Sequence, residues 1–388
     1  MKNLYITLGF MLATMAVTAQ SDATKDADKL FARMEYVDAA KEYLKLVENG
    51  KSDGYVYKQL ADSYYNVFNT AEAAKWYAKA VETNQDAETY YRYAQMLKAN
   101  GKYEEANKQM QKFASMSPSD SRAKSFKENP NYVPRILSKA KAYNVNSLEV
   151  SSDKSEFGPV LYDNAFYFTS ARNGARKTYG WTDEPYLDIY KADYNEDATI
   201  TNASPVTSLN SKWHDGPITI SADGNTAYFS SESFKEKESE KVKELKAKFS
   251  QVYLFKATKT GDTWGNITAL PFNSKEFSCA NPSLSRDGKT LYFSSNMPNG
   301  LGGTDIWKVA VKEDGSFGTP ENLGSKVNTE GNESFPFIAD DNKTLYFASA
   351  GRPGLGGLDV FEIDLTKGEA TNMGTPVNSE KDDFSFSF

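Results

Sequence analysis

A recurring unit in the C-terminal two-thirds of the chain constrains its fold more than any other feature. One copy spans Asn281 to Val309 and the next spans Phe335 to Ile363. Each reads as a proline-containing apolar strand, a short turn, a Tyr-Phe strand that ends in serine, a glycine-rich loop, and an aspartate that leads into another apolar strand. Two weaker copies precede them, and a further one opens at Asp382. The repeating unit is therefore a hairpin followed by a third strand.

The strand pattern predicts sheets that are packed on both faces. In Lys289–Ser295 and Lys343–Ser349, Leu and Phe alternate with Tyr, so that bulky side chains lie on both faces of the strand. The units recur every roughly fifty to sixty residues, which matches one four-stranded sheet per repeat. Residues 141–388 are therefore expected to form an incomplete β-propeller of four blades and the start of a fifth.

The preceding segment has a helical repeat of about 34 residues. Ala39, Ala73 and Ala106 take the same place in successive second helices, and Pro118 falls where the last helix should end. Small residues where helices touch and large residues between them resemble tetratricopeptide repeats. Residues 20–118 are expected to form about three such repeats as an α-solenoid, and the stretch 119–140, rich in Ser, Pro and charge, a linker to the propeller.

The first helices of these repeats should line a concave face that binds a partner. Mapping the repeat onto the chain places these residues there: Tyr55, Lys58, Asp62, Tyr65, Tyr91, Gln95 and Lys98. Aromatic side chains mixed with charges favour a peptide or protein surface over a cofactor site. Packing of the same face on the chain's own propeller is an equally weighted alternative.

Residues 1–19 have the features of a secretory signal peptide. Lys2 supplies a positive start, Leu4 to Val17 an apolar core too short to span a bilayer, and Val17-Thr18-Ala19 a small-residue cleavage box. No cysteine lies near the cleavage point to carry a lipid anchor. The mature protein is therefore expected in an exported compartment without lipidation, with an uncleaved N-terminal anchor as the alternative.

Composition and motifs argue against several kinds of site. A net charge of −7 provides no general basic surface for nucleic acid. A single cysteine, Cys279, and a single histidine, His214, exclude a disulfide framework and leave little imidazole chemistry. The chain has no G-x-S-x-G elbow, Walker A loop, H-E-x-x-H or EF-hand pattern. We therefore predict no catalytic residue, no cofactor and no metal ion, and expect that the chain is not an enzyme.

Two loop features of the repeats allow a more specific interpretation. The loops Asn299–Gly303 and Pro353–Gly357 lead into strands rather than helices, so they are expected to be blade loops and not phosphate sites. Asp188, Asp305 and Asp359 recur just before a strand, where hydrogen bonding to loop N–H groups is favoured over calcium binding. The Glu- and Lys-rich insertion Glu232–Phe249 is expected to be a solvated hairpin or short helix.

The blades share the pattern P-S-x-S-x-D-G-K-T-L-Y-F-S-S followed by G-G-x-D-[IV]-[WF], and they come after a signal peptide and helical repeats. In this arrangement the chain resembles exported proteins of Bacteroidota with tetratricopeptide repeats and a WD40-like (PD40) propeller, of the PorE/SprD-like type. The resemblance implies a non-enzymatic periplasmic scaffold that binds an outer-membrane β-barrel of the PorP/SprF type and serves type IX secretion, gliding or adhesin complexes. Such proteins continue into an OmpA-like domain that binds peptidoglycan, to which no residues of this sequence correspond. The alternatives are a glycan- or small-ligand-binding propeller and, third, a propeller-type hydrolase.

Overall fold

The structure, a computed structural model, describes residues 22–139 and 141–388, so the predicted signal peptide lies outside the described residues. An α-helical part is followed by a β-propeller of four blades, which confirms the predicted fold class. Across the two described ranges, no helix combines the length and the apolar character needed to span a bilayer.

The first six helices form three consecutive pairs. They are α1 (Lys25–Ala32), α2 (Tyr36–Glu48), α3 (Gly54–Asn66), α4 (Thr70–Ala80), α5 (Ala87–Lys98) and α6 (Tyr103–Met116). Ala39, Ala73 and Ala106 are buried, each in the second helix of its pair, because a small side chain lets two helices approach closely. Asp53 and Asp86 cap α3 and α5 by accepting hydrogen bonds from backbone N–H groups of the first turn.

Two further helices lie in the stretch 119–140, which the sequence assigns to a linker. They are α7 (Ser121–Glu128) and α8 (Val133–Leu137). Ala123 and Phe126 of α7 pack into the same core as the helix pairs. Pro134 stands in the first turn of α8, where its missing N–H leaves no hydrogen bond unmade. The helical part therefore continues up to the propeller.

The four blades are antiparallel sheets whose strands follow one another in chain order. Blade 1 consists of β1 (Glu156–Tyr162), β2 (Ala165–Ser170), β5 (Asp188–Tyr194) and β6 (Ile200–Pro205), with the hairpin of β3 (Thr178–Tyr179) and β4 (Glu184–Pro185) inserted before β5. Blade 2 consists of β7 (Asp215–Ile220), β8 (Thr226–Glu232), β11 (Val252–Thr260) and β12 (Thr263–Ala269). The predicted charged insertion of blade 2 is a 3₁₀ turn, Ser233–Glu236, and the hairpin of β9 (Glu240–Val242) and β10 (Ala247–Phe249).

The two regular repeats form the last two blades. Blade 3 consists of β13 (Cys279–Leu284), β14 (Thr290–Ser295), β15 (Asp305–Ala310) and β16 (Glu321–Asn322). Blade 4 consists of β17 (Glu333–Ile338), β18 (Thr344–Ser349), β19 (Asp359–Asp364) and β20 (Thr371–Asn372). The first strand of each blade contacts the first strand of the next, so these strands lie nearest the propeller axis.

The predicted two-faced strands hold the blades together. In β14, Leu291 and Phe293 pack towards blade 2, whereas Tyr292 between them packs towards blade 4. Each such side chain that is fully buried contributes about 1.5–3 kcal/mol to stability. The strand therefore joins two inter-blade cores, as its sequence pattern requires.

A bulge with one left-handed residue marks each inner strand. Gly158, Gly216, Asn281 and Phe335 have φ values of 69°, 104°, 54° and 48°. Ser385, with φ 62°, has the same conformation in the C-terminal segment 382–388. This segment lies between blades 4 and 1, because the Gly158 N–H donates to Ser385 Oγ at 2.8 Å while Phe388 packs on Phe337. The unit that opens at Asp382 therefore fills the seam between the last blade and the first.

Candidate functional site

The helical part contacts one end of the propeller. Strands alternate in direction within a blade, so the loops between second and third strands and the connections between blades share one end, the loop side. The turns between first and second strands lie at the other end, the turn side. Trp181 Nε1 donates to Asn66 O at 2.8 Å, and Tyr132 Oη donates to Gly354 O at 2.9 Å. Both contacts join the helices to loop-side residues.

The glycine-rich loop of blade 4 is the centre of this interface. Leu355, at the tip of Pro353–Gly357, is 1% exposed and packs against Tyr132 and Ile136. The carboxylate of Asp359 accepts hydrogen bonds from the N–H groups of Leu355 at 2.9 Å and Gly356 at 3.0 Å. The loop is therefore held by its own aspartate and covered by α8.

The recurrent aspartates have the role predicted for them in the two regular blades. Asp305 accepts hydrogen bonds from the N–H groups of Leu301 at 2.5 Å and Gly302 at 3.2 Å, in the same way that Asp359 holds the loop of blade 4. In blade 1 the carboxylate of Asp188 is instead paired with the guanidinium of Arg176. Within the described residues, no group of three or more His, Cys, Asp and Glu side chains is placed to hold a metal ion.

The predicted concave-face residues of the third helical repeat meet the propeller. Tyr91 Oη and Gln95 Nε2 both donate to Ala350 O, the latter at 3.1 Å. Lys98 is only 6% exposed, and burial lowers its pKa to about 8 although Asp359 acts in the opposite direction. At these three positions the concave face packs on the chain's own blade 4.

The second repeat contributes a buried charge network. Asp62 accepts hydrogen bonds from Tyr77 Oη at 2.5 Å, Lys58 Nζ at 2.8 Å and Arg92 Nη1 at 3.1 Å. Burial acts to raise the pKa of Asp62, but Arg92 and Lys58 outweigh it and hold that pKa below its ordinary value. Asp62 therefore serves as an internal counter-ion that joins α3, α4 and α5.

The remaining predicted residues, Tyr55 and Tyr65, differ in accessibility. Tyr55 is 39% exposed and donates to Asp28 Oδ1 at 2.9 Å. Tyr65 lies under the Arg92 guanidinium, whose central carbon is 5.1 Å from the ring centroid. Of the seven predicted residues, Tyr55 is exposed and Lys58 and Tyr65 are partly exposed, so these three are open to a partner from solvent. Their role in binding stays a prediction.

The single histidine lies in an aromatic cluster beside blades 1 and 2. The His214 ring stacks on Tyr186 with 4.3 Å between centroids, and its Nδ1 accepts from the Leu187 N–H at 3.0 Å. The proton of the neutral ring is therefore on Nε2, which faces Glu232 Oε1 at 4.0 Å. Burial lowers the pKa of His214 to about 4 and raises that of Glu232. The ring is neutral at pH 7, and its contacts are those of a residue that orders the entry to blade 2.

Cys279 takes a place that carries an acid in the other blades. Glu156, Asp215 and Glu333 each accept a hydrogen bond from a serine hydroxyl of the second strand, whereas Cys279 Sγ lies 3.6 Å from Ser295 Oγ. Burial raises the pKa of Cys279 to about 12, so the thiol stays protonated and unreactive. The sequence alignment of the repeats signals only that the position is polar elsewhere.

A cavity of about 220 Å³ runs along the propeller axis. Its wall comes from all four inner strands and the C-terminal segment, and it combines polar groups with apolar side chains that include Val160, Ile218, Leu284, Phe337 and Phe388. Arg286 and Asp340 stand exposed at its turn-side rim. The cavity can accept a small organic ligand or a side chain of a partner. No sequence motif signals it, because each blade supplies only one strand of its wall.

Comparison with known proteins finds similar solved structures at low sequence identity. No family model matches the chain, and no match is found among curated proteins. Similar solved structures include a puromycin-hydrolysing peptidase of Mycobacterium tuberculosis, with 12% identity over 56% of this chain and a TM-score of 0.33. The chain spans 30% of that peptidase. An α-L-arabinofuranosidase from Lactobacillus brevis shares 12% identity over 58% of this chain and 74% of its own, with a TM-score of 0.35.

A TPR repeat-containing protein is also among the similar structures. The C-terminal part of a TPR repeat-containing protein from Cytophaga hutchinsonii shares 20% identity over 29% of this chain and 47% of its own, with a TM-score of 0.26. At such identities the likeness concerns the fold alone. The fold joins tetratricopeptide-like helical repeats to a β-propeller, and these two architectures together indicate a protein-interaction scaffold.

The expectation that the chain is not an enzyme is corrected by these comparisons. A peptidase, an arabinofuranosidase and a sialidase, all hydrolases, are among the similar structures. The expectation rested on missing linear motifs. A site at the mouth of a propeller is assembled from separate blades and leaves no such motif, so the missing motifs do not exclude catalysis.

Proposed function

We propose that the chain is an exported scaffold whose turn-side face binds the periplasmic side of an outer-membrane β-barrel of the PorP/SprF type. The observation that carries the proposal is the position of the helices: they contact the loop side and leave the turn side and the mouth of the axial cavity open. Because no other part of residues 22–139 and 141–388 occupies this face, it is available to a partner.

The sequence resemblance supports the choice of partner. The blade motif resembles that of Bacteroidota propeller proteins that serve type IX secretion, gliding or adhesin complexes, so the proposed place of action is the periplasm beside the outer membrane. Attachment to peptidoglycan would require an OmpA-like domain, and no described residue corresponds to one. Tyr55 and Lys58, on the accessible part of the helical face, provide a second surface for another component of the complex.

A cross-linked pull-down of the native protein from envelope membranes tests this proposal. Mass spectrometry should recover a PorP/SprF-like barrel, with cross-links from the turn-side lysines such as Lys289 and Lys343. Recovery of the protein without any barrel or envelope component would contradict it.

A charge exchange at the cavity rim localises the contact. Arg286→Glu combined with Asp340→Lys leaves the net charge of the pair unchanged and alters only exposed side chains. We expect barrel recovery to fall at least tenfold, because charge complementarity orients an interface. The matched control, Lys108→Glu on the exposed surface of α6, should bind as the native chain does.

The axial cavity favours a second candidate function, the binding of a glycan or small organic ligand. Calorimetric titration with peptidoglycan fragments and neutral oligosaccharides tests it, and product analysis of the same mixtures detects hydrolysis. Leu161→Trp, which narrows the cavity from an exposed position in its wall, should abolish binding, whereas the exposed Met116→Trp should not. If none of these ligands gives a heat of binding, the ligand-binding function is ruled out.

A further inference from the structure

Two copies of the same loop have opposite surroundings. Asn299–Gly303 in blade 3 and Pro353–Gly357 in blade 4 share the sequence G-L-G-G, followed two residues later by Asp305 and Asp359. The leucine at the tip is 1% exposed in blade 4, as Leu355, and 40% exposed in blade 3, as Leu301. The helical part covers one loop and leaves the other in solvent.

Both loops have the same internal geometry. In each, the aspartate accepts hydrogen bonds from the N–H groups of the leucine and of the glycine after it, at 2.5 and 3.2 Å in blade 3 and at 2.9 and 3.0 Å in blade 4. In each, the second glycine of G-L-G-G lies against backbone carbonyls of the following connection between blades. The blade 3 loop therefore has its conformation without any covering helix, and binding there requires little ordering of the chain.

The contacts of Leu355 define what covers such a loop. Its side chain packs between Tyr132 and Ile136, which are four residues apart at α8, and Tyr132 Oη donates to Gly354 O at 2.9 Å. A tyrosine and an isoleucine one helical turn later thus form an apolar notch with a hydroxyl donor at its edge. The blade 3 loop offers the matching parts, the Leu301 side chain and the Gly300 carbonyl.

We infer that the blade 3 loop is a docking site for a helical segment of another protein that presents a tyrosine and, four residues later, an isoleucine or leucine. A second copy of this chain is not the occupant, because its own notch already holds its Leu355. The site lies on the loop side and does not depend on the proposed binding of a barrel at the turn side. It gives the scaffold a second place of attachment, built like its internal one.

Titration of the full chain with a synthetic peptide of residues Asn129–Ser138 tests the inference. The peptide carries the Tyr132 and Ile136 pair, and the full chain is labelled with ¹³C at the leucine methyl groups. We expect the Leu301 methyl resonances to shift saturably with peptide concentrations up to about 5 mM, in the affinity range of a small contact. The Leu355 resonances should not move, because that loop is already covered.

Matched variants separate docking from non-specific binding. The peptide with Tyr132→Ala and Ile136→Ala, and the chain with Leu301→Asp, should each weaken binding at least tenfold. Leu148→Asp, at another exposed leucine, should bind as the native chain, and Leu301→Ala provides the same test if the aspartate perturbs the fold. The inference is overturned if the Leu301 resonances stay in place, whether or not those of Leu355 shift. It is also overturned if the Leu301 resonances shift equally with the doubly substituted peptide.

Discussion

Asp382 is a half-buried carboxyl at a position where the preceding repeat has an amide. Its Oδ1 accepts from the Leu358 N–H at 2.8 Å, just as Asn332 Oδ1 accepts from the Thr304 N–H at 3.0 Å. Burial raises the pKa of Asp382 to about 6. The folded state then binds this proton more tightly than the unfolded state, so the free energy of unfolding falls as pH rises from about 4 to about 6.

Asp382→Asn keeps the acceptor and removes the charge. We expect the free energy of unfolding at pH 7 to rise by about 2 kcal/mol. Its decrease between pH 4 and 6 should become smaller without vanishing, because burial also raises the pKa of Asp383 to about 6. Urea denaturation across this pH range measures both effects, with the exposed Asp262→Asn as control. A variant that is less stable at pH 7 would show that the carboxylate has a stabilising partner.

Lys98 gives a pH dependence of the opposite sign. Its pKa of about 8 in the folded state lies below its ordinary value of 10.5, so the folded state binds fewer protons between these two pH values. The free energy of unfolding therefore rises with pH in this window. Lys98→Met keeps an unbranched apolar side chain at the site and removes the buried cation.

We expect Lys98→Met to raise the free energy of unfolding at pH 7 by about 2 kcal/mol. The gap to the native chain should close between pH 8 and 10.5, where native Lys98 loses its proton without unfolding. Only the difference in free energy of unfolding between the variant and the native chain is informative, because tyrosines, which both chains contain, also titrate above pH 10. Lys102→Met, at an exposed lysine, is the control. A loss of stability at pH 7 would show that the attraction of Asp359 outweighs the cost of burying the Lys98 cation.

Residues of the candidate site are predictable from the sequence only in part. The helical period places Tyr91, Gln95 and Lys98 on one face, because that period is a local property of the chain. The hydrogen bonds of Tyr91 and Gln95 to Ala350 are not predictable, since the acceptor is a backbone carbonyl in a distant loop. The same holds for Cys279, whose acidic counterparts become visible only when the blades are superimposed.

At the scale of elements, the regular repeats are the predictable part. The turns and the Tyr-Phe strands of blades 3 and 4 follow from alternation and turn residues, both local signals. The sequence predicts a linker where the structure has helices α7 and α8, because Pro130, Pro134 and many charges outweigh a short apolar pattern. The hairpin β3–β4 has two-residue strands, too short for any periodicity to be detected.

The loops of the regular repeats require glycine where backbone approaches backbone. A Cβ on Gly302 would overlap the carbonyl oxygens of Thr329 and Gly331, and neither can move without displacing the connection between blades 3 and 4. We expect Gly302→Ala to lower the free energy of unfolding by about 1–3 kcal/mol. The measurement is thermal or urea unfolding of the full chain.

Gly265→Ala is the matched control for this prediction. No atom lies within 4 Å of its added Cβ, so alanine there should be neutral or stabilise the chain by about 0.4–1 kcal/mol through the unfolded state. If Gly302→Ala is as well tolerated as Gly265→Ala, the loop is not held against the inter-blade connection.

At the scale of the whole molecule, the relation between the two parts is what the sequence does not contain. The sequence of each blade predicts that another blade packs on each of its two faces, because both faces must be buried by similar sheets. Nothing in the repeat states that α8 covers the loop of blade 4 and not the loop of blade 3, since the two loops are nearly identical in sequence. Which of the two loops α8 covers depends on where the chain leaves the helical part and enters β1.

This relation yields a prediction about cooperativity. Leu355 is the apolar side chain that joins blade 4 to Tyr132 and Ile136, so its removal should weaken the attachment of the helical part to the propeller. We expect the native chain to unfold in a single calorimetric transition. Leu355→Ala should lower the free energy of unfolding by about 2–4 kcal/mol and separate the helical transition from that of the propeller.

Leu301→Ala is the internal control, because it makes the same change in the same loop sequence where no helix packs. Its effect should stay within about 0.5 kcal/mol. Limited proteolysis gives a second readout: cleavage within residues 121–137, the range of α7 and α8, should accelerate in Leu355→Ala only, because a loosened helical part opens locally more often. If the two alanine substitutions have equal effects in calorimetric unfolding or in proteolysis, other contacts hold the helical part. Leu355 then does not couple the unfolding of the helical part to that of the propeller.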